Sequence, residues 1–336
     1  MAWSVVTTFP LGWGGDWAKH HVLVVGVGDV GFAIADTVYE LGAHTTVVTD
    51  TPDGDQENIL RVLGVTVVED EGEATRLPSP PDIVVLASPA ERTHPLTQQL
   101  ANRGCAVWSE VELSYRVADK SGRRPKCVLI AGHIHGLDIA SIAQVLCHEA
   151  GLRAAVVGSL GQVALDVLRD PTPWDVLLWP LGAAELADLH HDTDPHRTPF
   201  MGVAVDADSL LGPGELDAVY FRNEHACVYS RGGGATERAV ENAWVQEGCR
   251  AIGVGLDTPG MSDLGVVDDI VCDRAFIDDR QHRALELTTL TELADLGCGG
   301  QDSVGKVVTS LAIARGLSIS PDVIGKALPG AIGRPL

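Results

Sequence analysis

Positive charge is what this sequence lacks most: 24 lysines and arginines stand against 46 aspartates and glutamates, a formal net charge of −22. A surface of that sign repels phosphodiester backbones and anionic lipid, which argues against nucleic acid or a membrane as partner. Only a local basic pocket for a phosphorylated small molecule stays open. No run of 18 apolar residues is present to span a bilayer, and residues 1–17 have neither the basic start nor the apolar core of a secretory signal. Cysteine is sparse and lacks any C-x-x-C spacing. Cys105, Cys127, Cys147, Cys227, Cys249, Cys272 and Cys298 are odd in number and scattered, as expected of buried cytosolic thiols. These absences point to a cytoplasmic protein.

What is present is an alternation of apolar runs and helical periods in a chain of 336 residues, 45% hydrophobic, long enough for two domains. The run 21–26 reads as a buried parallel strand, followed by a helix to about 41 and a second strand over 45–49 that ends at Asp50. Further strands are expected at 65–68 and 83–87, with helices at 95–103 and 110–117. A polar stretch with Gly and Pro at 118–125 marks the boundary. Beyond it the alternation resumes with strands at 126–131, 154–157, 176–179, 202–205, 226–229 and 251–254. Helices are expected at 137–150, 302–315 and 321–328. Two α/β domains follow, 1–120 and 126–336, the first Rossmann-like and the second built on a P-loop-like frame.

The first strand runs into Gly26-Val27-Gly28-Asp29-Val30-Gly31, a G-x-G-x-x-G turn. That pattern lets backbone N–H groups approach a phosphate, and equally permits tight strand–helix packing; on its own it does not choose. Gly26, Gly28, Gly31, Asp50 and Ser88 are the candidate ligand-binding residues. Asp29 inside the loop either opposes a phosphate or caps the helix.

A second strand–turn–helix has the frame of a phosphate loop without its chemistry. In Gly132-His133-Ile134-His135-Gly136-Leu137-Asp138 the place after the last glycine, where a lysine reaches the β/γ-phosphates, holds Leu137, and the metal-binding hydroxyl position holds Asp138. An aspartate at a helix N-terminus suits the helix dipole but repels the phosphates that the dipole attracts. His133, His135 and Asp138 form a candidate metal set. His190, His191, Asp192, Asp194 and His196 form a second polar cluster. Neither spacing matches a closed structural-zinc pattern, and solvated loop polarity is the plainer reading. Cys147, on the following helix, reads as a core thiol rather than a nucleophile.

The order of short motifs resembles the Mur ligases, of the D-glutamate-adding MurD type found in actinobacteria, over essentially the whole chain. The first glycine turn, Ala87-Ser88-Pro89-Ala90, Trp108-Ser109-Glu110-Val111-Glu112-Leu113 and Gly158-Ser159-Leu160-Gly161 are similar to that family's first-domain loop, S-P-G turn, W-G-[DE]-V-E-L segment and G-N-I-G turn, in the same order. The departures are equally specific. The family's G-T-N-G-K-T-T loop falls on the degenerate segment above, so lysine and hydroxyl are both missing in either register. Pro180 stands where the E-L-S-S segment has its glutamate, Asp208-Ser209-Leu210 replaces D-H-L, and Asp302-Ser303-Val304-Gly305-Lys306 stands for H-N-x-x-N. No lysine occurs between Lys126 and Lys306 to match the family's modified lysine. The family's third domain is expected to be absent.

The resemblance implies a MurD-like protein that has lost ATP-dependent ligation and keeps a binding or regulatory role. Its expected ligand is a UDP-sugar or UDP-muramyl precursor, or it acts through a protein partner. No cofactor is expected, and the losses argue against ATP and Mg²⁺. Two other readings stay open: an enzyme with repurposed chemistry in a specialised biosynthetic pathway, or a ligase completed by a separate chain.

Overall fold

The computed structural model describes residues 11–49, 54–68, 80–132, 134–190, 198–205 and 213–332. They fall into two compact units, the first within 1–124 together with 162–173, the second within 125–161, 174–190 and 198–336.

In the first unit the chain runs through β1 (His21–Val25), α1 (Gly28–Glu40), β2 (His44–Val48), α2 (Gly54–Leu63), β3 (Thr66–Val68), β4 (Ile83–Leu86), α3 (Pro95–Asn102), β5 (Ala106–Ser109) and α4 (Glu110–Val117). The sheet is parallel throughout, in the order β3-β2-β1-β4-β5. Val22 to Val25 are all buried because helices cover both faces, which is why β1 is an unbroken apolar run rather than an alternating one. Ser109 starts α4 by accepting a hydrogen bond from the Glu112 N–H at 3.1 Å. Along α4 the buried Arg116 pairs with Glu112 one turn earlier and lies 4.2 Å from the Trp108 ring centre. The helix thus brings its charges inside only in compensated form.

The second unit begins with β6 (Lys126–Ala131), α5 (Ile134–Glu149) and β7 (Ala154–Val156). The next helix, α6 (Ala164–Arg169), belongs with the first unit. There the Ala164 N–H donates to Glu110 at 3.2 Å, and Arg169 pairs with Asp36 and Glu40 of α1. The chain continues through β8 (Val176–Leu181), α7 (Ala183–His190), β9 (Met201–Ala204), α8 (Pro213–Tyr220), β10 (Ala226–Ser230), α9 (Gly234–Glu241) and β11 (Arg250–Val254). It closes with β12 (Asp263–Val267), β13 (Ile270–Asp273), β14 (Leu285–Thr289), α10 (Leu290–Asp295), α11 (Gln301–Gly316) and α12 (Pro321–Ile332). The sheet order is β14-β13-β12-β11-β10-β9-β6-β8-β7, parallel except for the antiparallel edge made by β12, β13 and β14. Ile139, Ala143, Leu146 and Cys147 of α5 join Val307, Val308 and Leu311 of α11 and Ile324 and Leu328 of α12 in its main core. Cys147 is fully buried, and desolvation pushes its thiol up to about 12, so it is the core thiol the sequence suggested.

Most boundaries shift by a residue or so; α12 runs on to Ile332 rather than 328, and three further differences bear on the sites. Helix α5 starts at Ile134 rather than 137, and Gly132, at φ +122°, turns the chain out of β6 ahead of it. Strand β8 runs on to Leu181 rather than 179 and contains Pro180. The Leu178 carbonyl accepts from Val157 on the β7 side, so residue 180, two further on, faces the same way but beyond the end of β7. The missing proline donor therefore costs no ladder bond. Strand β9 begins and ends one residue earlier than 202–205. No described helix is long and apolar enough to cross a membrane.

Candidate functional site

The first unit carries a cavity of about 560 Å³ where its strand order reverses, at the carboxyl ends of β1, β2 and β4. An open parallel sheet presents its ligand crevice at this switch point. Gly26 and Gly28 line it from the β1 side, Val48 and Thr49 from the β2 side, and Ser88, Glu91 and His94 from the β4 side. The glycine turn has two distinct jobs. A Cβ on Gly31 would stand 2.4 Å from the Gly26 carbonyl oxygen, so that glycine is demanded by strand–helix contact. Gly28, at φ +77°, has nothing within 4 Å of where a Cβ would be, so it faces open space. Helix α1 has Val27 at its N-cap and no side-chain cap there, which leaves first-turn N–H groups of the kind that receive a phosphate.

The cavity is electrically spare. Among the described residues its lining includes His94 but no lysine or arginine, and Glu91 brings a carboxylate to within 3.4 Å of the Cβ position of Gly26. Asp29 is turned elsewhere and accepts a hydrogen bond from Gln56 of α2 at 2.9 Å, so it does not cap α1. Ser88 caps the short turn that follows it, with Oγ accepting from the Ala90 N–H at 3.3 Å. Of the five candidate ligand-binding residues, Gly26, Gly28 and Ser88 line one cavity and Gly31 supports it from behind. Asp50 lies outside the described residues.

At the carboxyl end of β6 in the second unit, Gly136 is buried inside the first turn of α5, where an added Cβ would stand 3.4 Å from both the Ile130 carbonyl oxygen and Pro180. Leu137 follows it and packs against the core. Asp138 is tied to Lys306 of α11, with Nζ 2.5 Å from its carboxylate and both side chains about four-fifths buried. One turn on, Ser310 donates to the Ile139 carbonyl at 3.1 Å, so α11 is fastened to α5 at two successive points. His135 is exposed. His133 lies outside the described residues, as do His191, Asp192, Asp194, His196, Asp208, Ser209 and Leu210; His190 is the last residue of α7. Among the described residues no group of three or more His, Cys, Asp or Glu side chains is placed to hold a metal ion. Sequence reasoning foresaw Leu137 and Asp138 but not Lys306 as the partner of Asp138, because a contact 168 residues away leaves no mark on local pattern.

No protein-family model matches the chain. It is 35% identical to the UDP-N-acetylmuramoylalanine–D-glutamate ligase of Leifsonia xyli subsp. xyli, over 94% of this chain and 65% of that protein. It is 34% identical to the ligase of the same name from Streptomyces coelicolor, over 93% of this chain and 67% of that protein. It therefore spans about two-thirds of the length of these relatives. Among solved structures, the UDP-N-acetylmuramate:L-alanyl-γ-D-glutamyl-meso-diaminopimelate ligase of Neisseria meningitides shares the fold, with a TM-score of 0.53 at 12% identity, over 94% of this chain and 99% of that one. With the glycine turn at its switch point, the two largely parallel α/β sheets and this degree of identity, the chain belongs to the Mur ligases and is of the MurD type.

Proposed function

We propose that this MurD-type chain has given up ATP-dependent ligation and uses its first-unit cavity to bind a UDP-muramyl precursor in the cytoplasm. The observation that carries the reading is the Asp138–Lys306 ion pair beside Leu137. Phosphoryl transfer needs cationic charge around the transferred group and a held Mg²⁺, and loss of one such element typically lowers rate about a hundredfold. Here the position for a phosphate-reaching lysine is apolar, the hydroxyl position is a carboxylate, and the lysine near it is already neutralised by that carboxylate. ATP and Mg²⁺ do not fit this donor set.

The first unit supports retention of a ligand. The glycine turn leaves Gly28 open, and the uncapped start of α1 offers backbone donors to a diphosphate without requiring a lysine. The names of the relatives supply the ligand class, a UDP-N-acetylmuramoyl compound. The repurposed-enzyme reading loses support, since Asp138 is engaged by Lys306 and His135 points to solvent.

Calorimetric titration tests the proposal. Saturable heat is expected with UDP-N-acetylmuramoyl-L-alanine, and none with Mg-ATP, whether or not the UDP compound is present. Heat with Mg-ATP would overturn the loss of ligation, and silence with the UDP compound would overturn the retained pocket.

A further inference from the structure

A second cavity, also of about 560 Å³, opens in the second unit at the opposite end of the sheet from the Gly132 turn. His225 immediately precedes β10, Arg250 is the first residue of β11, and Phe276 and Arg280 follow β13, which runs antiparallel to β12. Arg315 and Ser318 reach it from the end of α11. Ligands of open parallel sheets sit outside the carboxyl ends of the strands. This cavity lies at the amino ends, so it is separate from both sites described above.

Its chemistry runs against the rest of the molecule. Arg315 is spoken for: it pairs with the fully buried Asp273 at 2.7 Å and donates to the Ile319 and Phe276 carbonyls at 2.7 and 3.0 Å. Asp273 is saturated as well, since its other oxygen accepts from the Ala275 and Phe276 N–H groups at 2.8 and 2.9 Å. Arg250 and Arg280 have no such balance. Arg250 donates to the Ala275 carbonyl at 2.6 Å and Arg280 to the Ser262 hydroxyl at 3.3 Å. Neither forms an ion pair with a carboxylate among the described residues, and the acid of the cavity rim, Asp278, is exposed. Burial, then the like charge of Arg280, draws Arg250 below the ordinary arginine range, with Asp273 acting the other way. Arg250 and Arg280 line the same cavity and each feels the other's charge, so an anion placed between them would be held by two positive groups at once.

The remaining wall is aromatic. His225 stacks between Phe200, 4.7 Å away and 8° from parallel, and Phe276, 6.2 Å away and 15° from parallel, while Lys126 lies 4.5 Å from the Phe200 ring centre. Burial, together with Lys126 and Arg250, holds the imidazole below its usual range, so it stands neutral beside the cavity with one ring nitrogen engaged by the Gly316 backbone. A volume near 560 Å³ is in the range that holds a small molecule.

We propose that this cavity is a binding site for a phosphate-bearing small molecule, with Arg250 and Arg280 holding the phosphoryl oxygens and the His225–Phe276 wall flanking the rest of the ligand. Guanidinium forks match phosphate geometry and form the stronger, charge-assisted class of hydrogen bond. The site does not depend on the first-unit cavity or on the fate of ligation.

The test uses the full chain with inorganic pyrophosphate as probe, at ionic strength held constant with potassium chloride. Calorimetry is expected to show saturable binding in the wild type, weakened at least about tenfold in Arg280→Ala. Arg280 stands in the loop after β13, outside the core, so the variant should melt as the wild type does. Pyrophosphate is also expected to protect Arg250 and Arg280 of the wild type from phenylglyoxal, read by peptide mass mapping, which settles the matter if the variant folds poorly. Absence of saturable binding, unchanged affinity in a folded Arg280→Ala, or protection that spares both arginines would overturn the proposal.

Discussion

At the scale of single residues, the Asp138–Lys306 pair decides how the second unit is read. Both side chains are mostly sheltered, at 18% and 23% exposure, so removing one leaves the other partly desolvated and uncompensated. Lys306→Ala is expected to lower stability by about 1–2 kcal/mol, less than a fully buried pair would cost because some solvent remains. Asp138→Ala should cost a similar amount, and the double variant less than the sum, with a coupling of about 1 kcal/mol. Urea unfolding of the four proteins measures this cycle. Additive losses would mean that the two charges do not act on each other, and the account of a neutralised lysine would fall.

At the scale of elements, the β1–α1 turn shows how far pattern carries. Four apolar residues, Val22 to Val25, ending in glycine, then a helical period, are visible in sequence because a doubly covered strand cannot alternate. What the pattern could not supply is which glycine does which job. Gly31→Ala forces a Cβ into the Gly26 carbonyl and is expected to cost about 1–3 kcal/mol or more, as overpacked sites do. Gly28→Ala meets no atom, and its cost is the left-handed backbone alone, about 1–2 kcal/mol. Thermal melts that rank Gly28→Ala as the worse of the two would refute the assignment of Gly31 to packing. The same ambiguity misled the reading of α5, where Gly136 looked like a turn residue. Inside the helix its lack of a side chain instead answers close approach by Ile130 and Pro180. Helix α2 was not foreseen: its apolar residues crowd into positions 59, 60, 62 and 63, and of its ten residues only Glu57 and Leu60 are buried. The antiparallel β13 and β14 are only four and five residues long, too short to show a clear period, and they were not foreseen either. The arginine cavity was legible only as a permission, a basic pocket that composition did not forbid. Its members come from strand starts, a loop and a helix end that only the sheet brings together.

At the scale of the whole molecule, charge is the property that separates non-specific from specific effects of anions. A net charge of −22 makes the folded chain repel itself over distances comparable to the Debye length, about 30 Å at 10 mM salt and about 8 Å at 150 mM. The unfolded chain spreads the same charge over a larger volume and suffers less, so screening favours the compact state. Ion pairs such as Arg169 with Asp36 and Glu40 pull the other way, but these are partly exposed, and pairs of that kind contribute about 0–1 kcal/mol each. Raising potassium chloride from 10 to 150 mM should therefore raise the melting temperature, with most of the gain complete by 150 mM because the Debye length has by then fallen below the spacing of most surface charges. A fall across that range, followed by scanning calorimetry, would mean that ion pairs outweigh the global repulsion. Arg250 and Arg280 would then no longer stand out as an exception to it.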